Sequence, residues 1–453
     1  TGDITDPNET KYTLDYYVKK AKELESLGVH IFTIKDMAGL VKPYAAKKLI
    51  SALKEELNIP VNLHTHDSTG NGVSTLLMAS EAGLDIADCA IGSMSSMTSN
   101  PCMNSLVEAL KGTERDTGLN PDELTELSQY YARIRPIYKQ FESGMDAPNT
   151  EIYKYEIPGG QYSNLLAQVK EMGAAEDFEE IKGLYKDANQ LLGNIVKVTP
   201  SSKVVGDFAI FMFKNGLTKE NILEVGKDLS YPDSVVEYFE GMIGQPEGGF
   251  PEELQKIVLK DKKPINVRPG SLLPDEDFDY IAKGLKENFY TENMEDPDIL
   301  SQKTLSYALY PKVYEDYCRH FEAYNDVTGL ESHVYFYGLR KGEETTLKLD
   351  EGKYLIIKFI DMTEPDEDGY RLLDFEVNGS IREIKVLDKN LEVKTDRRVK
   401  ADKSNPAHLG STIPGTVGKV LVNEGDEVTV NMPLMTVEAM KMETTVVSTV
   451  NGK

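Results

Sequence analysis

The chain has 453 residues, 40% of them hydrophobic, which is enough for buried cores and for about three domains at roughly 150 residues each. Its 75 acidic residues against 50 basic ones give a net charge of −25, which repels polyanions and argues against nucleic acid or an anionic membrane as a partner. Cys89, Cys102 and Cys318 show no CxxC spacing, so neither a disulfide framework nor a zinc knuckle is expected, and no apolar run approaches the ~20 residues of a membrane span.

In chain order, the opening "TGDITDP" reads as a loop, and the natural start is expected upstream of Thr1. Apolar residues then recur at helical spacing from Tyr12 to about Leu27, followed by the β-rich run "VHIFTIK". A second helical stretch, "PYAAKKLISALKEEL", leads into "VNLHTHD", and a third, "GVSTLLMASEAG", into "LDIADCAIG". This alternation predicts parallel strands, in an open doubly wound sheet or a (β/α)8 barrel. A whole barrel needs eight strands and about 250 residues, so a barrel here is expected to lack its first half. From about Asn120 to Leu300 the pattern is helical, with "DELTELSQYYARIRPIYKQF", "EDFEEIKGLYKDANQLLG" and "SVVEYFEGMIG" as amphipathic segments. Beyond Val327, "HVYFYGL", "TTLKLD", "KYLIIKFI", "YRLLDFEV" and "SIREIKVLD" read as short strands. A last unit follows with "GKVLV", "DEVTV", "LMTVEA" and "METTVVS" as strands. The expected division is 1–115 for barrel strands and helices, 116–325 for a helical subdomain, 326–402 for a β-rich module and 403–453 for a small terminal β unit.

In "HTHD", His64 and His66 are two apart on a predicted strand, so both side chains leave the same face. The C-terminal end of a parallel strand is where α/β folds place chemistry, and two converging imidazoles suit a divalent metal. The alternative is a polar pair closing the top of a strand. Lys35 ends the preceding strand in "TIKDMAGL", 29 residues before His64, about one strand-helix-strand unit away. Its functional readings are a Schiff-base nucleophile or a metal-ligating carbamate, and its bland reading is an ion pair with Asp36 or another acid.

"TIKDMAGLVKP" followed by "NLHTHDSTGNG" resembles the carboxyltransferase domain of the biotin-dependent carboxylases, a TIM-type barrel whose superfamily also holds hydroxymethylglutaryl-CoA lyase and isopropylmalate synthase. The resemblance implies a carbamylated Lys35 that ligates a divalent ion (Mn, Zn or Mg) together with His64 and His66. A further ligand in the family, an aspartate on the first barrel strand, is expected before Thr1.

In "KVTPSSKVVGD" (Lys197 to Asp207), a Ser/Thr cluster before an apolar helix reads by itself as an N-cap. With "IPGGQYSNL" (Ile157 to Leu165) and "GQPEGGFP" (Gly244 to Pro251), however, the segment resembles the pyruvate carboxylase family. There Thr199 matches a catalytic threonine that shuttles a proton between pyruvate and biotin, while Ser202 and Lys203 match residues lining the biotin pocket. A hydroxyl that both gives and takes a proton suits that role, worth about 10²–10⁴-fold in rate.

Near the end, "EAMKMET" (Glu438 to Thr444) sets Lys441 between two predicted strands. By itself this is a lysine on a tight hairpin; the motif resembles the biotinyl domain, whose central lysine carries covalent biotin. The domain in the family continues for roughly thirty more residues, so this unit is expected to be cut and marginal, with half its buried face unpartnered.

The resemblance implies transfer of a carboxyl group from biotin to pyruvate, giving oxaloacetate, within an ATP- and bicarbonate-dependent tetramer modified by biotin-protein ligase. The ATP-dependent domain and a Walker-type loop are not in the sequence, so this chain is expected to perform at most the second half-reaction, and little of that alone. Rival readings are the α-subunit of an oxaloacetate decarboxylase, a transcarboxylase subunit, a non-catalytic biotin carrier, and a Schiff-base lyase or aldolase. A reducing compartment is expected, bacterial cytoplasm first and mitochondrial matrix second.

Overall fold

The computed structural model describes residues 4–452, apart from 8, 143–144, 290–293, 390–400, 402–404, 406–407, 412–415 and 440–441. The chain forms two units, Thr1–Gly270 with Ala401–Lys453, and Ser271–Lys400.

The first unit begins with α1 (Leu14–Ser26), capped where the Thr13 side chain accepts the Tyr16 amide. Then come β1 (Phe32–Asp36), α2 (Pro43–Glu56, Pro at its first position), β2 (Val61–Thr65), α3 (Gly72–Glu81) and β3 (Ile86–Ala87). The three strands are parallel in the order β1-β2-β3, with Lys35 in register with His64. Alternation decides the faces: Ile34, Val61 and Leu63 are buried among Leu49, Ile50, Leu53 and Leu76 of the covering helices. Each such side chain contributes about 1.5–3 kcal/mol by leaving water. Lys35, Asn62 and His64 are left on the opposite face. The third predicted strand, "LDIADCAIG", is strand only over Ile86–Ala87.

Helices begin earlier than the sequence suggests. α4 (Met103–Leu110) and α5 (Pro121–Ile134) precede α6 (Ile152–Tyr155), α7 (Gly159–Glu171), α8 (Phe178–Leu191), α9 (Ser201–Lys214), α10 (Ile222–Val225), α11 (Asp233–Glu240) and α12 (Glu252–Leu259). α7 to α12 enclose a core around Leu165, Ile181, Tyr185, Phe208 and Phe239.

The second unit holds α13 (Phe278–Asn288), α14 (Pro297–Leu309), α15 (Pro311–Tyr324) and α16 (Ser332–Tyr337), then an antiparallel meander of β4 (Glu344–Asp350), β5 (Lys353–Met362), β6 (Tyr370–Val377) and β7 (Ser380–Leu387). The run "HVYFYGL" is therefore a helix and not the expected strand. Tertiary contact overrides its β propensity: the Tyr335 ring lies 6.2 Å from that of His320 on α15, and Gly338, at φ +71°, stops the helix.

The terminal part of the first unit has β8 (Thr416–Val420), β9 (Pro433–Ala439) and β10 (Met442–Val447) in the order β10-β9-β8. The expected strand "DEVTV" contributes only an isolated bridge, Val428 to Gly452. On its inner face Val437 and Val446 are buried, with Met172 and Leu409 packed on them, while Val417, opposite Val437 across the β8–β9 ladder, stays half exposed.

Candidate active site

The C-terminal ends of β1, β2 and β3 carry the polar groups. Lys35 and His64 lie side by side across the β1–β2 ladder, and the His64 and His66 rings meet edge to face at 5.4 Å. The His64 Nδ1–H donates to the Asp88 carboxylate at 2.8 Å, and the His66 Nδ1–H donates to the Thr98 carbonyl at 2.6 Å. Because a carboxylate and a carbonyl can only accept, both tautomers are fixed with the Nε2 lone pairs outward. Burial holds the His66 imidazole below its ordinary value, against the Thr98 hydrogen bond, and the His64 and Lys35 charges push it further down. It is thus neutral near pH 7, the form that ligates metal.

The His64 Nε2 atom is buried with no hydrogen-bond partner among the described residues. Buried polar atoms are ordinarily paired, so an imidazole lone pair aimed at nothing fits an ion it would coordinate. Among the described residues there is no cluster of three or more His, Cys, Asp or Glu able to hold a metal. The two imidazoles stand together there, with Lys35 beside His64 across the β1–β2 ladder.

Asp36, the first partner that the bland reading gave Lys35, is fully buried. Its carboxylate accepts the Leu40 and Val41 amides at 2.9 and 3.0 Å and the Thr65 hydroxyl at 2.9 Å. Lys35 and Asp36 leave opposite faces of β1, so one anchors the "DMAGL" loop while the other faces the site. That loop passes so close to β2 that a methyl on Gly39, at φ +71°, would lie 2.6 Å from the His66 carbonyl oxygen.

Thr199 is exposed on the turn before α9. Pro200 is the N-cap, with no side-chain cap bond, so the Ser/Thr cluster does not cap the helix. Instead the Ser201 hydroxyl folds back on the turn, accepting the Val198 amide at 3.0 Å. Ser202 is buried in the first turn of α9 and Lys203 half-buried beside it. The site residues thus form two groups, Lys35/His64/His66 and Thr199/Ser202/Lys203. The "IPGG" segment touches the first: the Gly159 amide donates to the Met37 carbonyl at 3.5 Å, and a methyl on Gly159 would meet Ser68 Oγ at 3.2 Å and Thr98 Cβ at 3.3 Å. Lys441 lies outside the described residues, but the strands on either side pair with Ala439 opposite Met442.

Asp88, Thr98 and Asp36 escaped the reading of the sequence. Asp88 had a usable signal, as an acidic residue within the third predicted strand "LDIADCAIG"; Thr98 acts through its backbone and had none.

Residues 5–130 match the HMGL-like family, residues 152–358 the conserved carboxylase domain and residues 406–453 the biotin-requiring enzymes. Together with a TIM-type sheet carrying a histidine pair at its C-terminal edge, these matches place the chain within the class of the biotin-dependent carboxylases. The pyruvate carboxylase of Bacillus subtilis is 49% identical over 100% of this chain and 39% of its own length. The carboxyl transferase domain of Rhizobium etli pyruvate carboxylase superposes with a TM-score of 0.80 at 43% identity, over 86% of this chain and 64% of that one. A structure of that domain with pyruvate and biocytin gives a TM-score of 0.79 at 43% identity, covering 86% and 65%. The chain belongs to the pyruvate carboxylase family, and it spans about two fifths of the length of the curated relatives it matches.

Proposed function

We propose that this chain carries out the carboxyl-transfer half of the pyruvate carboxylase reaction, in which pyruvate becomes oxaloacetate, with ATP and bicarbonate consumed elsewhere in the whole enzyme. The observation that carries the reading is the buried Nε2 of His64, without a hydrogen-bond partner among the described residues, on a histidine beside His66 and in register with Lys35, in a chain that also matches the biotin-requiring enzymes. The Rhizobium etli domain has been solved with pyruvate and biocytin, which supports the substrate and the covalent biotin.

When bound, biotin on Lys441 supplies the carboxyl group and a divalent ion held by His64, His66 and carbamylated Lys35 supplies a Lewis acid at the keto oxygen. The chain's own residues do the rest. Thr199 Oγ1, exposed on its turn, takes the proton that leaves the pyruvate methyl carbon and passes one to the biotin ring nitrogen. Such a hydroxyl stays neutral at both steps and needs only to be placed. Ser202 and Lys203 line the biotin pocket from the first turn of α9. The division into barrel, helical, β-rich and biotinyl parts, a homotetramer, modification by biotin-protein ligase and a cytoplasmic location (mitochondrial matrix as the alternative) complete the proposal.

The test is avidin-sensitive oxaloacetate formation by the biotin-loaded full-length enzyme, with and without ATP, bicarbonate and a chelator. ATP-dependent synthesis lost with chelator is expected. Activity only in ATP-independent decarboxylation would transfer the chain to the decarboxylase α-subunits, and borohydride trapping of pyruvate on Lys35 would replace the metal reading with a Schiff base.

A further inference from the structure

A relay hydroxyl exposed on a turn works only if the turn is held where both reactants arrive. Contacts from two sides bear on this one. From the α9 side, Ser201 Oγ accepts the Val198 amide at 3.0 Å and lies 2.6 Å from the Val196 and Val198 carbonyls, and the Ser202 amide donates to the Val198 carbonyl at 3.0 Å. These fix the turn to its own helix and say nothing about where it sits over the strand ends. From the other side, Lys197, two residues before Thr199, donates from Nζ to Glu156 Oε2 at 2.6 Å.

Resting on the functional reading above, we infer that Glu156 and Lys197 are a positioning pair that places Thr199 over the carboxyl-transfer site. The Lys197 side chain is 9% exposed and that of Glu156 34%. An ammonium so sheltered is stable only with its counter-charge in place, so loss of either partner displaces the other. Glu156 is also where the backbone departs from the ordinary: it ends α6 in the left-handed region at φ +54°, an uncommon place for a residue with a side chain. Its amide donates to the Ile152 carbonyl at 2.7 Å, and α6 is itself held where Lys182 bonds Glu151 at 2.6 Å under the Tyr155 ring.

From Glu156 the chain runs directly into Ile157, Pro158 and Gly159, and Gly159 bears on Thr98, whose carbonyl orients His66. Glu156 and Lys197 also line a small cleft with Met37, Leu40, Pro158 and Val196. A single ion pair therefore ties the Thr199 turn to the segment that props up the histidine site. Among the described ion pairs it is the one that joins these two segments. Neither residue is assigned a direct contact with substrate; they act through Thr199.

The experiment uses the biotin-loaded full-length enzyme with Glu156→Gln, Lys197→Met and the charge-swapped E156K/K197E. It reads kcat, KM for pyruvate, bound metal, and amide exchange at Val198 and Ser202. A misplacement of about 1 Å can cost about 10²-fold in rate, so each single variant is expected to lose about 10²-fold in kcat, with KM within about twofold and metal content unchanged. Exchange at the two amides rises, and the swap recovers most of the lost kcat. If the neutral variants do not fold, Glu156→Asp keeps the charge and shortens the arm by one methylene, and it must lower kcat at least about tenfold. Single variants with wild-type kcat, a kcat loss that follows metal loss, or a swap without recovery would overturn the inference alone. A wild type without avidin-sensitive activity would overturn the functional reading, and this inference with it.

Discussion

Asp88→Ala separates metal binding from stability, because the structure gives the carboxylate one task that matters to His64 and little else. The His64 side chain is 21% exposed and that of Asp88 39%, so the pair contributes little to folding, about 0–1 kcal/mol as for other accessible ion pairs. The remaining contact of Asp88, from Asn62 Nδ2 at 3.3 Å, is long and adds little. For metal binding the same bond counts differently. It fixes the His64 tautomer with Nε2 as acceptor, and Nε2 is buried without a hydrogen-bond partner among the described residues. Losing a hydrogen bond to a charged group costs about 1.5–3 kcal/mol, and half-exposure reduces that to about 1.4 kcal/mol, a factor of about ten in affinity. Removal of an outer-shell partner of a histidine ligand typically costs 10–100-fold, in agreement. The assay is equilibrium dialysis against manganese(II) and zinc(II), with thermal unfolding of the metal-free protein in parallel. Expected are an affinity loss of about tenfold or more and a Tm within about 4 °C of wild type. Unchanged affinity would refute the reasoning, as would a Tm drop large enough to explain the loss by unfolding.

Gly39→Ala forces a side chain into the left-handed region and against the His66 carbonyl at 2.6 Å, so a loss of about 2–3 kcal/mol is expected in urea unfolding. Burial pushes the Lys214 ammonium down to about 8. Its folded value lies below the ordinary ~10.4, so the unfolded chain binds more protons between the two and stability rises as pH climbs from about 8 to 10.4. Lys214→Met is expected to flatten that rise and to stabilise the protein by about 2 kcal/mol at pH 7, read by denaturation at a series of pH values. Burial, with the Asp88 and Cys102 charges, pushes the Cys89 thiol up to about 12. Burial also opposes ionisation of Cys102, but hydrogen bonds from Ser105, Ser95 and the Asn104 amide hold it below its ordinary value. Iodoacetamide at pH 7.5 is therefore expected to label Cys102 at least about tenfold faster than Cys89, by peptide mass spectrometry.

The local content of this fold was legible because it rests on short-range rules. The 3.6-residue spacing gave the helices, with starts such as Thr13 and Pro43 within two residues of those expected, and the two-residue spacing of His64 and His66 gave one shared face. Lys35 was legible for the same reason, as the polar end of an apolar strand. The biotinyl unit was legible from its motif, which is local too. What the sequence could not supply is which side chain meets which across a hundred residues. Asp88 and Thr98 orient the two histidines from β3 and the loop beyond it, Asp36 turns inward to brace its own loop, and Glu156 reaches Lys197 across 41 residues. The aromatic run at 333–337 has β propensity, yet it is helical, with Tyr335 against His320 of α15. Val437 and Val446 carry no mark that Met172 covers them. Residue type and spacing determined which groups could do chemistry here. Packing decided how they are aimed, because hydrogen-bond partners and buried neighbours are set by distances in space that the order of residues does not encode.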